Sequence, residues 1–296
     1  MIVTSGGATS WFGLPGGVTL QPAEFVKVFL VITLAHVIVT HNEKHRAKTI
    51  KSDFLLLGKL VGLSLPPMGL IAVQPDLGSF LVLVAITSFL ILVSGIQWKI
   101  LISILASALL FVSVTILMFF LNLTSVTNYL EESVFAHVDS RFYGWLQPEQ
   151  YAQGYGLQLI KSITAIGSGQ LTGKGIGNFE VSVPERHTDM IFTAVAEQFG
   201  FIGASLVLTL FFLLLYRMIQ IALESNDSFG SYIIVGIVGM ITFQVFQNIG
   251  MSLQLLPITG LPLPFLSYGG SSTLAYLLAI GIVLNVKSRT RTYMFE

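Results

Sequence analysis

Seven stretches of the chain are almost wholly apolar: 22–40, 54–73, 77–94, 100–121, 190–216, 229–249 and 273–286. Most approach the roughly 20 residues that carry a helix across a hydrocarbon core. Pro66-Pro67 lies inside the second stretch and predicts a kink or break there. The fifth is long enough to tilt or to project from the bilayer. Between the fourth and the fifth runs the longest polar stretch, 122–188. Within it, Trp145-Leu146-Gln147-Pro148-Glu149 predicts a turn. Apolar residues at 157, 159, 160, 163 and 166, with Lys161 among them, predict a short amphipathic helix lying on the membrane. Five glycines within 167–177 predict a flexible segment. Residues 1–20 are rich in Gly and Thr, with no basic or long apolar region of a signal peptide. They read as a loop between helices.

Composition sharpens this picture. The 296 residues are 53% hydrophobic and 10% charged, with a mean hydropathy of +0.80. A soluble domain carries about 25% charged residues, so this chain has too little polar surface to face water all round. The expected fold is an all-α polytopic membrane protein of about seven transmembrane helices. It forms one membrane domain over 1–296, with one large extracytoplasmic loop at 122–188. Fifteen basic and fifteen acidic residues cancel, which argues against a nucleic-acid binder. Cysteine is absent, and with it any disulfide, thiolate metal site or thiol nucleophile. Lys44, Arg46, Lys48 and Lys51 share one loop. Lys99, Arg217, Lys287, Arg289 and Arg291 fall on the same side of a seven-span chain, and that side is cytoplasmic. Residues 74–76, the long loop and 250–272 then share the outer face, which gathers the least loop-like connections.

Candidate chemistry collects on that outer face. Asp189, at the start of the fifth span, reads either as a general base at the membrane boundary or as a helix-start acid favoured by the dipole. Arg186 and His187 beside it favour its charged form. Glu197 lies inside the same apolar run, where an ionisable group is expensive and marks function or a polar contact between helices. Gln244, Gln247 and Asn248 form one polar face of the sixth span, suited to interhelical hydrogen bonds. Glu24 and Lys27 are spaced to pair, although an outward Lys also snorkels to headgroups. Asp76, after Pro75 and before a helix, reads as a cap. Residues 167–175 lack the first Gly and the Ser/Thr of a phosphate-binding loop. His41 and His45 lack a third metal ligand. Residues 261–272 read as a broken helix entry, tolerated at that depth only inside protein or along a cavity.

Several motifs together resemble one family. They are Gln21-Pro22-Ala23-Glu24-Phe25-Val26-Lys27, Gln74-Pro75-Asp76-Leu77-Gly78, the stretch Ile166 to Gly175, Pro184-Glu185-Arg186-His187-Thr188-Asp189-Met190-Ile191-Phe192, Ala196-Glu197-Gln198-Phe199-Gly200, and Asn248 through Ser271. In this order over the whole chain they resemble the SEDS family (shape, elongation, division and sporulation: RodA, FtsW and SpoVE), on the RodA side. That resemblance implies a peptidoglycan glycosyltransferase that polymerises lipid II. Its setting would be a bacterial cytoplasmic membrane, with the active face extracytoplasmic and a class B penicillin-binding protein as partner. It makes Asp189 the essential carboxylate and Trp11 the important Trp before the first motif. Two positions depart from the family pattern: Ala8-Thr9-Ser10-Trp11 lacks a basic residue before the Trp, and Gln-Pro-Ala-Glu replaces Gln-Pro-Ser-Glu. Family members have about ten spans of roughly 20 residues, so about three would precede this chain. An activated sugar on a polyprenyl pyrophosphate needs a base for the attacking hydroxyl, which suits Asp189. It also needs cations for the leaving group, for which Lys27, Lys161, Lys174 and Arg186 are candidates. Trp11, Glu24, Asp76, His187 and Glu197 complete the expected substrate-binding set. A divalent cation is the one cofactor this chemistry admits, and no ligand cluster marks a site for it. Two other readings stand beside the enzyme: a lipid II flippase with Glu197 and Lys27 along its path, and a non-catalytic scaffold for a penicillin-binding protein.

Overall fold

The computed structural model describes residues 2–5, 8–13, 19–45, 49–74, 76–120, 144–150 and 155–290. Residues 121–143 and 151–154 of the long polar loop, and Arg46, Lys48, Pro75 and Arg291, lie outside the described residues. Each of the seven apolar stretches is a helix: α1 Pro22–Lys44, α2 Ile50–Val73, α3 Leu77–Val93, α4 Trp98–Phe120, α6 Ile191–Glu224, α7 Ser228–Ser252 and α8 Gly270–Arg289. An eighth, α5 Tyr155–Ser168, lies in the polar stretch. Helices α1, α2, α6, α7 and α8 are long and apolar enough to cross a membrane, and α3 and the Trp98–Ser107 part of α4 are shorter.

Helix α7 is the central post, touching α1, α3, α5, α6 and α8. Small residues make this possible. A Cβ on Gly236 would stand 2.6 Å from Val31 Cγ1, so α1 and α7 meet almost backbone to backbone. The core joins Val31, Leu34 and Ile38 of α1 to Leu83, Ile86 and Leu90 of α3 and to Ile234, Ile237 and Ile241 of α7. The outer faces are as apolar as the core. Phe201, Leu206, Leu210 and Phe212 of α6 and Phe54, Leu65 and Leu70 of α2 are exposed. Each would cost about 1.5–3 kcal/mol in water relative to burial, which is the physical mark of a lipid-facing surface.

Four local expectations are corrected. The described residues within 1–20 form an antiparallel meander rather than a loop: β1 Ile2–Ser5, β2 Ala8–Gly13 and β3 Thr19–Leu20, in the order β1-β2-β3. Ile2 stands opposite Phe12, and Phe12 opposite Leu20; the β-branched and aromatic residues there prefer a pleated surface. The fold is therefore helical with a small sheet. Second, α2 runs through Pro66-Pro67 without a break. The carbonyls of Gly62 and Leu63, which these prolines cannot serve, lie on an exposed turn, and membrane helices tolerate that loss. Third, the break comes in α6 instead, at Gly200 (φ 63°, ψ −161°). Fourth, α5 packs on protein. It buries Leu159 and Ala165 against Met190, Met251 and Ile258, while Ile163 is exposed. Ser162 Oγ donates to Ser252 O at 2.6 Å, satisfying a carbonyl that the end of α7 leaves open.

Candidate active site

The break in α6 decides how the outer loops are built. A helix interrupted at residue 200 frees the carbonyls of residues 197 and 198 and the amides of residues 201 and 202. The glycine-rich segment serves all four: Lys174 N donates to Glu197 O (3.0 Å), Gly175 N to Gln198 O (3.0 Å), Phe201 N to Gln170 O (2.8 Å) and Ile202 N to Leu171 O (3.2 Å). This segment is thus a brace, not a flexible linker. Its glycines let backbone meet backbone, since a Cβ at Gly173 would stand 2.1 Å from Gln198 O and one at Gly200 would stand 2.4 Å from Gly173 N. Both residues also have positive φ, which favours Gly.

Glu197 sits beside the break and is fully buried. Its Oε1 accepts from Lys174 Nζ (3.1 Å) and from the amides of Glu180 (2.9 Å) and Val181 (3.1 Å). Arg186 NH2 lies 2.9 Å from Oε2, but that oxygen has no well-directed hydrogen bond, so the contact is chiefly electrostatic. Arg186 also donates to Val181 O and covers the Phe179 ring at 4.2 Å, a cation–π contact. Lys174 makes a second ion pair with exposed Glu180 at 2.7 Å. That hydrogen bond raises the lysine's pKa, Glu197 adds to the effect, and burial opposes both. Lys174, Arg186 and Glu197, singled out separately in the sequence, therefore form one cluster in which both cations already have an acidic partner.

Asp189 stands one residue ahead of the α6 N-cap, Met190, whose side chain makes no capping bond. The backbone before α6 is tied down on three sides. Tyr268 N donates to His187 O (2.9 Å), Ser267 Oγ to Thr188 O (2.6 Å) and Asn248 Nδ2 to Asp189 O (2.7 Å). The Asp189 carboxylate is half-buried and faces the backbone of Gly260, where an added Cβ would lie 3.4 Å from Oδ2. Asn248 Nδ2 also donates to Leu261 O (2.7 Å), and Leu261 packs against Gly78 at the start of α3. Asp76 caps α3, accepting from Ser79 N (2.9 Å), and its other oxygen accepts from Gln21 Nε2 (3.1 Å). Gln21 N in turn donates to Ser271 Oγ at the start of α8 (3.0 Å). The starts of α1, α3, α6 and α8 and the end of α7 thus meet at one end of the bundle, with Asp189 among them.

The remaining expected residues lie around this centre. Lys27 Nζ donates to Glu24 Oε1 at 2.7 Å, and both side chains are buried one turn into α1, so this lysine does not snorkel. Trp11 is half-exposed on β2, opposite Val3. His187 is exposed, its ring 6.2 Å from that of Tyr268, and Lys161 is half-exposed on α5. Of the polar face on α7, Gln244 makes the expected interhelical bond, to Tyr276 OH (2.8 Å). Gln247 instead donates to Pro257 O (3.0 Å) and Asn248 to Asp189 and Leu261, so this face organises the site rather than only joining helices. Gly260, Ser267 and Ser271 were visible in the sequence only as part of the 248–271 motif, with no role of their own. Among the described residues, no three His, Asp or Glu side chains gather closely enough to hold a metal ion.

Residues 1–292 match the FtsW/RodA/SpoVE cell cycle protein family. The chain belongs to this family. It is 36% identical over 288 residues to stage V sporulation protein E of Bacillus subtilis, covering 96% of this chain and 73% of that protein. It is 37% identical over 287 residues to the probable peptidoglycan glycosyltransferase FtsW of the same organism, covering 95% of this chain and 68% of that protein. A solved structure of a peptidoglycan synthase complex that coordinates polymerization and crosslinking holds a chain similar to this one at a TM-score of 0.75 and 30% identity, covering 98% of this chain and 76% of that one. The rod shape-determining protein RodA of Thermus thermophilus is similar at a TM-score of 0.63 and 30% identity, covering 98% and 73%. Sequence relatives of the sporulation and division types and structural relatives of the RodA type place the chain in the family without preferring a branch. The polytopic membrane architecture follows from family and helices together.

Proposed function

We propose that this chain is a peptidoglycan glycosyltransferase that polymerises lipid II, with Asp189 as its general base. Its relatives named probable peptidoglycan glycosyltransferase FtsW support the activity. The observation that carries the residue assignment is the half-buried Asp189 carboxylate on a fixed backbone. It stands ahead of an uncapped helix start on backbone tied by Tyr268, Ser267 and Asn248. A base must be held within hydrogen-bond reach of the proton it takes, in one orientation. In this reading Asp189 accepts the proton of the acceptor sugar's hydroxyl as that oxygen attacks the anomeric carbon of the donor. The bond from that carbon to the pyrophosphate oxygen breaks, and polyprenyl pyrophosphate leaves. Lys161, half-exposed, and His187, exposed, supply positive charge or hydrogen bonds to the pyrophosphate. Lys174 and Arg186 act structurally instead, since each is bound to Glu197.

The setting is a bacterial cytoplasmic membrane, with Asp189 on the extracytoplasmic side. The basic residues Lys44, Lys51, Lys99, Lys287 and Arg289 belong to the other side. A class B penicillin-binding protein is the proposed partner, supported by the similarity to a chain of a peptidoglycan synthase complex. Glu197 and Lys27 are both buried in ion pairs, so nothing favours a transport path through them. The test is polymerisation of lipid II by the reconstituted chain. Asp189→Asn should abolish product while the protein stays folded, and product at the unsubstituted rate would refute the assignment.

A further inference from the structure

We infer that Glu197 is a positioning residue for Asp189, holding the segment that leads into it rather than touching substrate; this rests on the glycosyltransferase reading above. The geometry is that of a clamp. Four groups from residues 174–186 converge on one side chain: Lys174 Nζ, the amides of Glu180 and Val181, and the Arg186 guanidinium, all within 3.1 Å. That side chain is rooted in α6 about two turns beyond Asp189. It is fully buried and cannot meet a ligand without dissolving the cluster. The clamp closes three residues before Asp189, at Arg186, and the ties from Tyr268, Ser267 and Asn248 begin at the next residue. The chain entering α6 therefore has no free joint between the clamp and the carboxylate.

The electrostatics point the same way. A buried carboxylate is tolerated only when paired and hydrogen-bonded, and removing it strands the partners. Without Glu197, Lys174 would keep only exposed Glu180, Arg186 would lose its acidic partner, and the amides of Glu180 and Val181 would lose their acceptor. The segment 180–189 would shift. A displacement of about 1 Å at a catalytic group costs on the order of 100-fold in rate.

The experiment uses the full chain, reconstituted with lipid II. For Glu197→Gln, kcat should fall about 10- to 100-fold while KM for lipid II stays within roughly threefold, the signature of an interaction made only at the transition state. A rise in KM with kcat unchanged would overturn the inference in favour of substrate contact, and an unchanged kcat would overturn it outright. A second reading is independent of activity. In Glu197→Ala, backbone amides of residues 180–189 should exchange with deuterium about tenfold faster, a factor set by about 1.4 kcal/mol of lost protection. Unchanged exchange would overturn the inference whatever the rates do. If Glu197→Ala does not fold, Lys174→Met removes one leg of the clamp from a loop and should still speed exchange at Glu180 and Val181; protection equal to the parent chain would again overturn it. Faster exchange in these variants, together with an Asp189→Asn chain that still polymerises, would locate the failure in the glycosyltransferase assignment and not in the clamp.

Discussion

Asp189 and Glu197 are carboxylates two helical turns apart on the same chain, and their surroundings differ completely. Glu197 is sealed from solvent, meets two cations and two backbone amides, and stands beside a helix break that a glycine-rich brace repairs. Asp189 is half-buried, ahead of an uncapped helix start, with its own carbonyl accepting from Asn248 and its neighbours' carbonyls from Ser267 and Tyr268. One group is saturated with partners and fixed. The other is half-buried, placed by its backbone and facing Gly260. Environment, not residue type, divides the roles: a reactive carboxylate needs a held backbone and access for substrate, whereas a structural one needs partners for its buried charge.

The sharpest way to break this division is to exchange the consequences. Asp189→Asn should lower lipid II polymerisation by about 10³-fold or more, with thermal stability in detergent within about 0.5 kcal/mol of the parent, because the ties to Asn248, Ser267 and Tyr268 are made by backbone carbonyls that the substitution leaves in place. Glu197→Ala should do the reverse in kind. Leaving two cations without their carboxylate should destabilise the fold by about 3–5 kcal/mol, read as a lower unfolding midpoint. A destabilised Asp189→Asn beside a fully stable Glu197→Ala would invert the comparison.

The helices were legible because membrane solvent imposes a simple rule: a helix must be apolar over its length, and all seven stretches are helices, five of them long and apolar enough to cross a membrane among the described residues. The carboxylates were legible as well, since charge inside such a run is conspicuous. Their partners were not. Nothing local in Lys174 or Arg186 tells that both turn toward residue 197; a free cation for a leaving group and a structural cation look alike until the loop is folded. Asn248 was visible as a polar residue on α7, yet its work at Asp189 depends on where 257–268 returns. The sheet at the amino end was missed because its strands are short and one partner, β3, has two residues. The brace was missed because glycines that permit close backbone contact read the same as glycines that permit motion.

Proline and glycine make the next contrast, with a smaller expected effect. Gly200→Ala would place a Cβ 2.4 Å from Gly173 N at a positive φ, and should cost about 2–3 kcal/mol. It should also loosen the brace, so that amides of Phe201 and Ile202 exchange faster. Pro66→Ala restores a donor inside an intact helix and should be neutral or stabilising, by less than about 1 kcal/mol. A Gly200→Ala chain as stable as its parent would mean the break in α6 does not depend on backbone closeness, and the clamp beside it would lose its frame.

The smallest effect concerns pH and separates the two carboxylates without touching either. Lys174 is held above its ordinary value of 10.5, first by Glu180 and then by Glu197, against opposing burial. A lysine with a raised folded pKa contributes stability that is fully present below its unfolded value and is lost as pH rises through the folded one. The clamp should therefore be indifferent to pH from about 6 to 10 and weaken only above that window. Comparing unfolding midpoints of the parent chain and Lys174→Met across that range checks it. Their difference should hold constant to about pH 10 and shrink above the ordinary lysine value of 10.5. Any change in polymerisation rate within the flat window then belongs to the substrate or to the site around Asp189. A difference between the two midpoints that already varies near neutral pH would instead implicate the clamp, and the separation of a fixed carboxylate from a reactive one would fail at that point.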